Sequence, residues 1–305
     1  MPRALLLVSL FALAGCASAG SAAGPAGAPV LASGYRIVVP ATGSEVTGSR
    51  MVDRLARADV VVFGEQHDDA ETHRAEAELL EAIGRSGRPV VLSLEMFERD
   101  VQSVIDDYLA GRVNEQEFLA RSRPWERYAT DYRRLIELAK TRHWRVIAAN
   151  VPRPLASAVG RKGFAAFDTL TASERLAAAR EHACPADDYH ARFLESMQSH
   201  PGANAAGDTL PTATAERFYL AQCMKDETMA ESIVDAKLAA PRGAIVVHFT
   251  GAFHSDYAQG TGARIKRRQP KWTVAVVAAV PVADPAKAPI APQSGTADFV
   301  IFTRR

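Results

Sequence analysis

The sequence has no excess of charge of either sign. It carries 36 Lys and Arg against 35 Asp and Glu in 305 residues, and 48% of its residues are hydrophobic. A nucleic-acid-binding protein would show a basic excess or stripe, so we expect no nucleic-acid partner. No segment after residue 20 is apolar for the length that a membrane span needs. The composition is typical of a globular domain.

Cysteine is scarce, with Cys16, Cys184 and Cys223 as the only three. The C-x-x-C-H signature of covalent haem attachment is absent. A disulfide between Cys184 and Cys223 suits an oxidising compartment. Two free, buried thiols are equally typical of a large domain, so both alternatives stay open.

The first sixteen residues, "MPRALLLVSLFALAGC", differ from the rest of the chain. One Arg precedes an apolar run that is too short for a spanning helix and typical of an export signal. Leu13-Ala14-Gly15-Cys16 resembles a bacterial lipobox, which implies cleavage before Cys16 and lipid on its sulfur. A plain signal peptide with an incidental cysteine is the alternative. We predict a lipoprotein signal peptide over residues 1–15.

The following stretch, "ASAGSAAGPAGAPVLASG", is small, uncharged and rich in Gly, Ala, Ser and Pro. It cannot bury enough apolar area to offset its ordering entropy, so residues 16–34 are predicted to be a lipidated Cys16 and a flexible tether. A lipid anchor with a tether holds a protein on a membrane without spanning it. Ala17 is compatible with sorting to the outer membrane. We therefore expect a lipid-anchored protein on the bacterial outer membrane, facing the periplasm.

Four apolar, β-branched runs in the remaining domain end in polar residues. These are "ADVVVFGEQH", "RPVVLSLEMFE", "HWRVIAANVPR" and "GAIVVHFTGAFHSD". Near-continuous runs of this kind are typical of strands buried on both faces. Amphipathic helical stretches separate them, which predicts an α/β fold with a mostly parallel sheet and flanking helices. Two more strands are predicted in the tail, in "KWTVAVVAAVPV" and "DFVIFTRR".

Two regions carry more helix than simple crossovers need. Residues 98–131 read as two short helices, and a long Ala-rich helical region follows without a strand signal. We predict one domain over residues 35–305, with helical insertions around 98–131 and 160–225. Part of this helix is expected to form a smaller all-helical subdomain set against the sheet.

The first and fourth runs each end in the motif G-x-x-H. Gly64 precedes Glu65 and His67, and Gly251 precedes His254. Glycine permits a sharp exit from a strand and close backbone approach. Ligands bind at the carboxyl ends of parallel strands. We therefore expect the polar residues that follow these strands to share one site: Glu65, His67, Glu95, Arg153 and His254.

Two chemistries suit this set. His67 and His254 would bind a divalent metal ion as neutral imidazoles, with Glu65 or Glu95 completing the ligands. Alternatively, one histidine serves as a general base on water while Glu65 holds its other nitrogen. Arg153 would bind a carboxylate or a developing oxyanion. The helix-borne zinc motif H-E-x-x-H is absent from the sequence.

Two further regions carry candidate functional residues. Gln222 and Asp226 lie one turn apart inside the apolar face of a predicted helix. They either support the strand-end residues from behind or fix a neighbouring loop. In "EHACPADDYHARFLESMQSH", Tyr189, His190 and His200 are candidate ligands for the iron of haem.

Five segments, taken together and in order, resemble the ChaN-like haem-binding uptake lipoproteins. They are "FGEQHDDAETH", "LSLEMFERDVQ", "AANVPRPLA", "AQCMKDETMAESI" and "VHFTGAFHSDYAQG". These lipoproteins are relatives of the Tiki, TraB and erythromycin-esterase proteins. The resemblance covers roughly residues 35–305 and implies a parallel sheet with a smaller helical part.

For the ChaN-like branch, the resemblance implies a role in haem or iron uptake. It further implies a homodimer around haem, a tyrosine ligand to the iron, and an outer-membrane haem receptor as partner. Tyr189 is the first candidate for that ligand, with Tyr128, Tyr132 and Tyr257 as alternatives. If the resemblance holds, we expect haem to bind against the helical region that carries Tyr189, apart from the strand-end set.

For the Tiki and esterase branches, the resemblance implies hydrolysis instead. The working set of those branches, the paired G-x-x-H motifs with a Glu and an Arg, matches His67, His254, Glu95 and Arg153 in this chain.

Overall fold

The computed structural model describes residue 31 and residues 34–198 and 211–305 of the chain. The predicted signal peptide, Cys16 and His200 lie outside the described residues. Among the helices that are described, none combines the length and apolarity needed to cross a lipid bilayer.

Eight strands form one sheet, and most of them run parallel. In chain order they are β1 (Arg36–Val39), β2 (Ser44–Glu45), β3 (Val60–Glu65), β4 (Val90–Glu98), β5 (Arg145–Asn150), β6 (Ile245–Gly251), β7 (Val274–Val282) and β8 (Phe299–Arg304). Their order across the sheet is β2-β1-β8-β7-β3-β6-β4-β5. The six strands from β8 to β5 are parallel, and β1 and β2 add an antiparallel edge. The predicted α/β class is confirmed.

Ten α-helices in the described part surround the sheet. They are α1 (Gly48–Leu55), α2 (Ala70–Gly84), α3 (Gln102–Leu109), α4 (Glu115–Ser122), α5 (Arg133–Thr141), α6 (Arg153–Lys162), α7 (Ala172–Leu176), α8 (Asp188–Gln198), α9 (Thr212–Ala239) and α10 (Gly260–Arg268). A π-helical turn at Tyr128–Tyr132 leads into α5. The two short helices expected in residues 98–131 are α3 and α4.

The helices cover both faces of the sheet. On one face, side chains of α1, α2, α3 and α5 form the main core with Phe63, Leu92 and Phe249. On the other face, α9 and α10 pack through residues such as Ile233 and Ile265. A smaller core joins α6 to α9 and marks the expected helical part. The central strands β3, β4 and β6 are buried along their whole length, as their β-branched composition predicts.

The strand order brings the ends of β3, β6 and β4 together. Glu65, the last residue of β3, pairs with Gly251, the last residue of β6. Glu95, expected among the polar residues that follow the strands, lies inside β4, which continues to Glu98. A register shift between Leu94 and Glu98 interrupts its pairing with β5. This irregularity frees the Glu95 carboxylate to accept the backbone N–H of Gly251 at 2.8 Å.

Candidate functional site

Neither glycine of the two G-x-x-H motifs has room for a side chain, because other atoms lie close to it. A Cβ atom on Gly64 would lie 2.1 Å from Ser255 Oγ and 3.1 Å from the Cα of Ala252. A Cβ atom on Gly251 would lie 2.7 Å from His67 Nε2. Gly64 is therefore required because the loop after Gly251 packs against it. Gly251 is required because the His67 ring packs against it.

The first histidine is held by a buried carboxylate. His67 Nδ1 lies 2.6 Å from Glu65 Oε1, and the Tyr132 hydroxyl donates to the same oxygen at 2.6 Å. The Glu65 side chain is fully buried, whereas the His67 side chain is 48% exposed. Burial lowers the pKa of His67, but the Glu65 carboxylate outweighs this effect, so the net shift is upward. His67 thus has one nitrogen fixed and an imidazole that reaches solvent.

The second histidine lies between two carboxylates. His254 Nδ1 is 2.9 Å from Asp226 Oδ1, and His254 Nε2 is 3.5 Å from Glu95 Oε1. Burial lowers the pKa of His254, yet Glu95 and Asp226 together raise it above its ordinary value. All three side chains are buried, which favours an imidazolium at His254 flanked by two anions.

Glu95 is kept ionised by its surroundings. Burial would raise its pKa, but His254, Lys225 and the Thr250 hydroxyl lower it to about 2. Thr250 Oγ1 donates to Glu95 Oε2 at 2.6 Å, and the Gly251 N–H donates to the same atom. The carboxylate is therefore an acceptor with one fixed oxygen and one that faces His254.

These groups open onto one cavity of about 760 Å³. Its lining includes all five residues predicted from the strand ends: Glu65, His67, Glu95, Arg153 and His254. The side chain of Arg153 is 68% exposed and lies 3.6 Å from Glu98. Trp125 packs edge-on against the His67 ring at a centroid distance of 4.9 Å and forms another part of the wall. Geometry brings the five predicted residues together; their chemical roles stay a prediction.

The two histidines of the cavity wall have different surroundings. His67 is half-exposed with one carboxylate partner, whereas His254 is buried with two. Titratable groups whose surroundings differ in this way divide acid and base roles between them. Lys225 and Arg153 add positive charge to the same wall. The arrangement suits proton transfer to and from a bound polar molecule.

Gln222 and Asp226 support this site from α9. Asp226 Oδ1 accepts from His254 and from Thr261 Oγ1, and its Oδ2 accepts the Tyr189 hydroxyl at 2.6 Å. Gln222 Nε2 also donates to that hydroxyl, at 3.2 Å. The helical region and the strand ends were expected to form separate sites. The structure joins them through Asp226, because α9 packs across the end of the sheet.

Several candidate haem ligands are already engaged. Tyr189 is 2% exposed, and burial together with Asp226 raises its pKa well above the ordinary value. His190 Nε2 lies 2.9 Å from Glu216. Tyr128 and Tyr132 are 3% and 1% exposed. None of these side chains presents a free ligand atom on an open surface.

Tyr257 differs from them. All seven tyrosines lie in the described residues, and Tyr257, at 46%, is the exposed one. Its φ of 62° places it in the left-handed region, which a residue with a side chain rarely adopts. The Arg192 guanidinium lies 5.2 Å from its ring centroid and 4.1 Å from that of Phe253. Such strain is often found at functional positions, which favours Tyr257 among the candidate ligands to the iron of haem.

The predicted metal set of Glu65, His67 and His254 is not gathered to ligand distances. Within the described ranges, one group of three has ligand atoms all within 4.8 Å of one another, and it consists of Glu65, His73 and Glu76. The reason is that the free nitrogen of His67 faces Gly251, while Asp226 and Glu95 hold His254.

Sequence reasoning missed this second cluster behind His67. His73 Nδ1 is 3.0 Å from Glu76 Oε2, and His73 Nε2 is 3.4 Å from Asp131. Burial and the Glu65 carboxylate raise the pKa of Glu76 well above its ordinary value. The available signal was the spacing of His73 and Glu76, which puts both on one face of a helix directly after the first G-x-x-H motif.

The two cysteines of the domain form a disulfide. Cys184 and Cys223 are bonded, with a Cα–Cα distance of 5.7 Å. Cys223 sits on α9 next to Gln222, so the bond fastens the segment before α8 to the helix that carries Asp226. Of the two alternatives left open by the sequence, the structure has the bonded one.

Comparison with known proteins agrees with this architecture. The ChaN of Campylobacter jejuni, solved in a study of cofacial haem binding, matches with a TM-score of 0.65 at 14% identity, over 88% of this chain and 96% of that one. An erythromycin esterase in its open conformation matches with a TM-score of 0.44 at 13% identity, over 84% and 78% of the two chains. At 14% identity the likeness to the Campylobacter jejuni ChaN concerns the fold.

Comparisons by sequence found one curated relative and one family model. Protein RETICULATA-RELATED 5, a chloroplastic protein of Arabidopsis thaliana, is 26% identical over 242 residues, which are 75% of this chain. The chain spans about a third of the length of that relative, 32%. A family model described as haem-binding uptake, Tiki superfamily, ChaN matches residues 51–265, more than two thirds of the chain. With the resemblance of its motifs thereby confirmed, the chain belongs to the ChaN family of haem-binding uptake proteins in the Tiki superfamily.

Proposed function

We propose that this chain binds haem for uptake, with Tyr257 as the ligand to the iron. The proposal is supported by the family and by the cofacial haem binding of the Campylobacter jejuni ChaN. The observation that carries it is the exposure of Tyr257, at 46%, while the other candidate tyrosines are buried. An iron ligand on the surface suits a protein that must take up and release its haem.

The residues around Tyr257 fit the group. Haem needs one axial ligand, an apolar contact for its flat ring and cationic partners for its propionates. The hydroxyl of Tyr257 has no hydrogen bond to the described residues, so its oxygen is available. Phe253 and Arg192 lie beside it and would provide the apolar contact and the cation. When bound, haem supplies an iron centre that takes a phenolate oxygen.

Tyr189 and His190 fit less well than Tyr257. A bond from Tyr189 to iron would require its hydroxyl to leave Asp226 and its buried ring to turn outward. His190 would have to release Glu216. For this reason the proposal moves the ligand from Tyr189 to Tyr257, on the same side of the molecule.

The remaining parts of the proposal concern assembly and location. An exposed ligand leaves the other haem face open, so two copies of the chain would enclose the cofactor as a homodimer. Lipid on Cys16 and the tether that follows would hold the protein on the outer membrane, facing the periplasm, beside an outer-membrane haem receptor. The lipobox pattern of residues 13–16 supports this location.

Titration with haemin tests the haem proposal. Wild type should show a shifted Soret band and a change from monomer to dimer on gel filtration, and Tyr257→Phe should lose both. Tyr189→Phe is the matched control, because it removes a hydroxyl whose role we consider structural. Loss of the Soret shift in Tyr189→Phe with retention in Tyr257→Phe would contradict the assignment.

A second candidate function is hydrolysis of an ester or amide in the cavity. It is favoured by one observation, the presence of two carboxylate-held histidines on the wall of a single cavity of about 760 Å³. His67, with Nδ1 on Glu65, would act as general base on water. Buried His254, held charged by Asp226 and Glu95, would act as acid or stabilise an oxyanion, together with Arg153.

Turnover of chromogenic esters tests this candidate. His67→Ala should lower kcat/KM by about 100- to 10,000-fold, the usual effect of removing a general base. His190→Ala, outside the cavity, is the control and should leave kcat/KM unchanged. Equal activity in wild type and His67→Ala would refute the base role, and turnover that requires added Zn²⁺ would favour a metal-dependent reaction instead.

A further inference from the structure

A buried group of carboxylates lies behind His67, and Glu65 is the member that it shares with the lining of the cavity described above. Glu65 is at the end of β3, and His73 and Glu76 are one turn apart on α2. Their exposures are 1%, 4% and 0%. One ligand atom from each of the three lies within 4.8 Å of those of the other two. The arrangement brings two carboxylates and one imidazole to a common point in the protein interior.

Two carboxylate oxygens in this group have no hydrogen-bond partner. Glu65 uses Oε1 for His67 and Tyr132, and its Oε2 is unpartnered. Glu76 uses Oε2 for His73, and its Oε1 is unpartnered. Buried polar atoms almost always have a hydrogen-bond partner, because burying one without a partner can cost several kcal/mol of folding free energy. A group that accepts electron pairs from Glu65 Oε2 and Glu76 Oε1 would supply the missing partner.

The charged side chains around this group also favour a bound cation. Asp131, 4% exposed, is the third buried carboxylate near His73, and Arg127 pairs with it at 2.5 Å. Arg127 is thus occupied, and no Lys or Arg of the described residues forms an ion pair with Glu65 or Glu76. A divalent ion bound between Glu65 and Glu76 would displace any proton held there, and its charge would offset that of the two carboxylates.

The geometry points to a divalent transition-metal ion bound by Glu65 Oε2, Glu76 and His73 Nδ1, and we propose this as a site distinct from the haem face and from the cavity. Two carboxylates with an imidazole suit Zn²⁺, Mn²⁺ or Fe²⁺ better than Mg²⁺ or Ca²⁺. Donor atoms about 2.0–2.2 Å from an ion lie roughly 3–4 Å apart, so a 4.8 Å group needs only small rotations to close on it.

Glu65 would then connect two sites. One of its oxygens would bind the ion, while the other continues to hold His67 Nδ1. The ion would fix the carboxylate and, through it, the orientation of the imidazole at the cavity wall. The proposal is independent of both proposed functions, because neither haem binding nor turnover is needed for the ion to bind.

Metal binding to the haem-free full chain tests the site. After dialysis against a chelator, Zn²⁺ is titrated by calorimetry in competition with a chromophoric chelator. Wild type should bind one ion per chain, and Glu76→Gln should weaken binding by about 100-fold or more, beyond the 10–100-fold effect of losing an outer partner. Glu76→Gln keeps the shape of the neutral acid, so the fold should persist, which near-ultraviolet circular dichroism checks.

Two further variants make the result decisive. Glu71→Gln removes a partly exposed acid from the first turn of the same helix and should bind Zn²⁺ as wild type does. His254→Gln should also retain the ion. Loss of binding in His254→Gln with retention in Glu76→Gln would overturn the proposal and place the ion in the cavity. Absence of stoichiometric binding by wild type would overturn it as well and leave a proton shared between Glu65 and Glu76.

Discussion

Replacing Asp226 with Asn would test how the buried network holds His254. Three donors converge on this carboxylate: His254 Nδ1 at 2.9 Å, Thr261 Oγ1 at 2.8 Å and the Tyr189 hydroxyl at 2.6 Å. Asn has nearly the same shape, and its amide can face Tyr189, whose hydroxyl can turn to accept. The substitution therefore removes the charge while leaving most hydrogen bonds possible.

The expected loss is set by the buried ion pair. Removing one partner of such a pair costs about 3–5 kcal/mol, because the other charge stays buried. Glu95 Oε1, 3.5 Å from His254 Nε2, still partly compensates the imidazolium. We therefore expect the lower end, about 3 kcal/mol less free energy of unfolding for Asp226→Asn. Tyr189→Phe removes a neutral hydroxyl with two hydrogen bonds, to Asp226 and from Gln222, and should cost less, about 2 kcal/mol.

The loss should depend on pH in a defined way. Burial opposes ionisation of Asp226, but His254 and Arg264 outweigh it and lower the pKa below 3.8; the pKa of His254 is raised above 6.5. The pair is thus fully formed between about pH 4 and 6.5. Its contribution falls as pH drops through the lowered pKa of Asp226, and as pH rises through the raised pKa of His254.

Urea denaturation at several pH values, followed by circular dichroism, measures these effects. Histidine titration by NMR should show a lower pKa for His254 in Asp226→Asn than in wild type. A loss no larger than that of Tyr189→Phe near pH 5.5 would refute the reasoning, since it would mean that His254 is neutral in the folded protein. An unchanged His254 titration would lead to the same conclusion.

Three other perturbations have defined outcomes. Gly251→Ala should displace the His67 ring, which a changed NMR titration of His67 would show. The free energy of unfolding should fall by only about 1 kcal/mol, because the φ of Gly251 is −59° and the half-exposed His67 ring can rotate. A large loss of stability with an unchanged ring would contradict this. Glu95→Gln should flatten the acid limb of the stability curve, because a carboxylate with a pKa lowered to about 2 contributes stability above pH 4.5 that is lost as pH falls towards 2; identical acid limbs would contradict it. Removing the Cys184–Cys223 bond, 39 residues apart, should lower the free energy of unfolding by about 4 kcal/mol in denaturation with and without reductant; equal midpoints would mean that the bond does not constrain the unfolded chain.

The sequence was most informative where burial and strand pairing coincide. Runs such as "ADVVVFGEQH" predicted the six parallel strands because both faces of these strands are buried, which leaves a continuous apolar signal. The edge strands β1 and β2 were missed because they are short and β1 pairs with β8, about 260 residues away in the chain, with no local trace of the partner. The extension of β4 to Glu98 was missed for a similar reason, since a bulge depends on the neighbouring strands.

The position of the candidate site could be predicted from the sequence, but the contacts between its residues could not. The rule that ligands bind at strand ends brought Glu65, His67, Glu95, Arg153 and His254 into one cavity. The cluster around His73 and Glu76 was not predicted, because charged residues on an amphipathic helix normally face solvent. Which of them are buried depends on how the helix packs, and that is tertiary information.

The position of β3 governs how the chain can fold. Both neighbours of β3, the strands β6 and β7, begin about 185 and 214 residues after Val60. During synthesis this strand, apolar along its length, therefore has two unpaired edges until most of the chain has been made. Long-range parallel pairing is slow and unpaired apolar edges are prone to aggregate, so the nascent chain is exposed to aggregation over this period. A chain cut before Ile245 would carry Glu65 and His67 but could not complete the sheet that positions them.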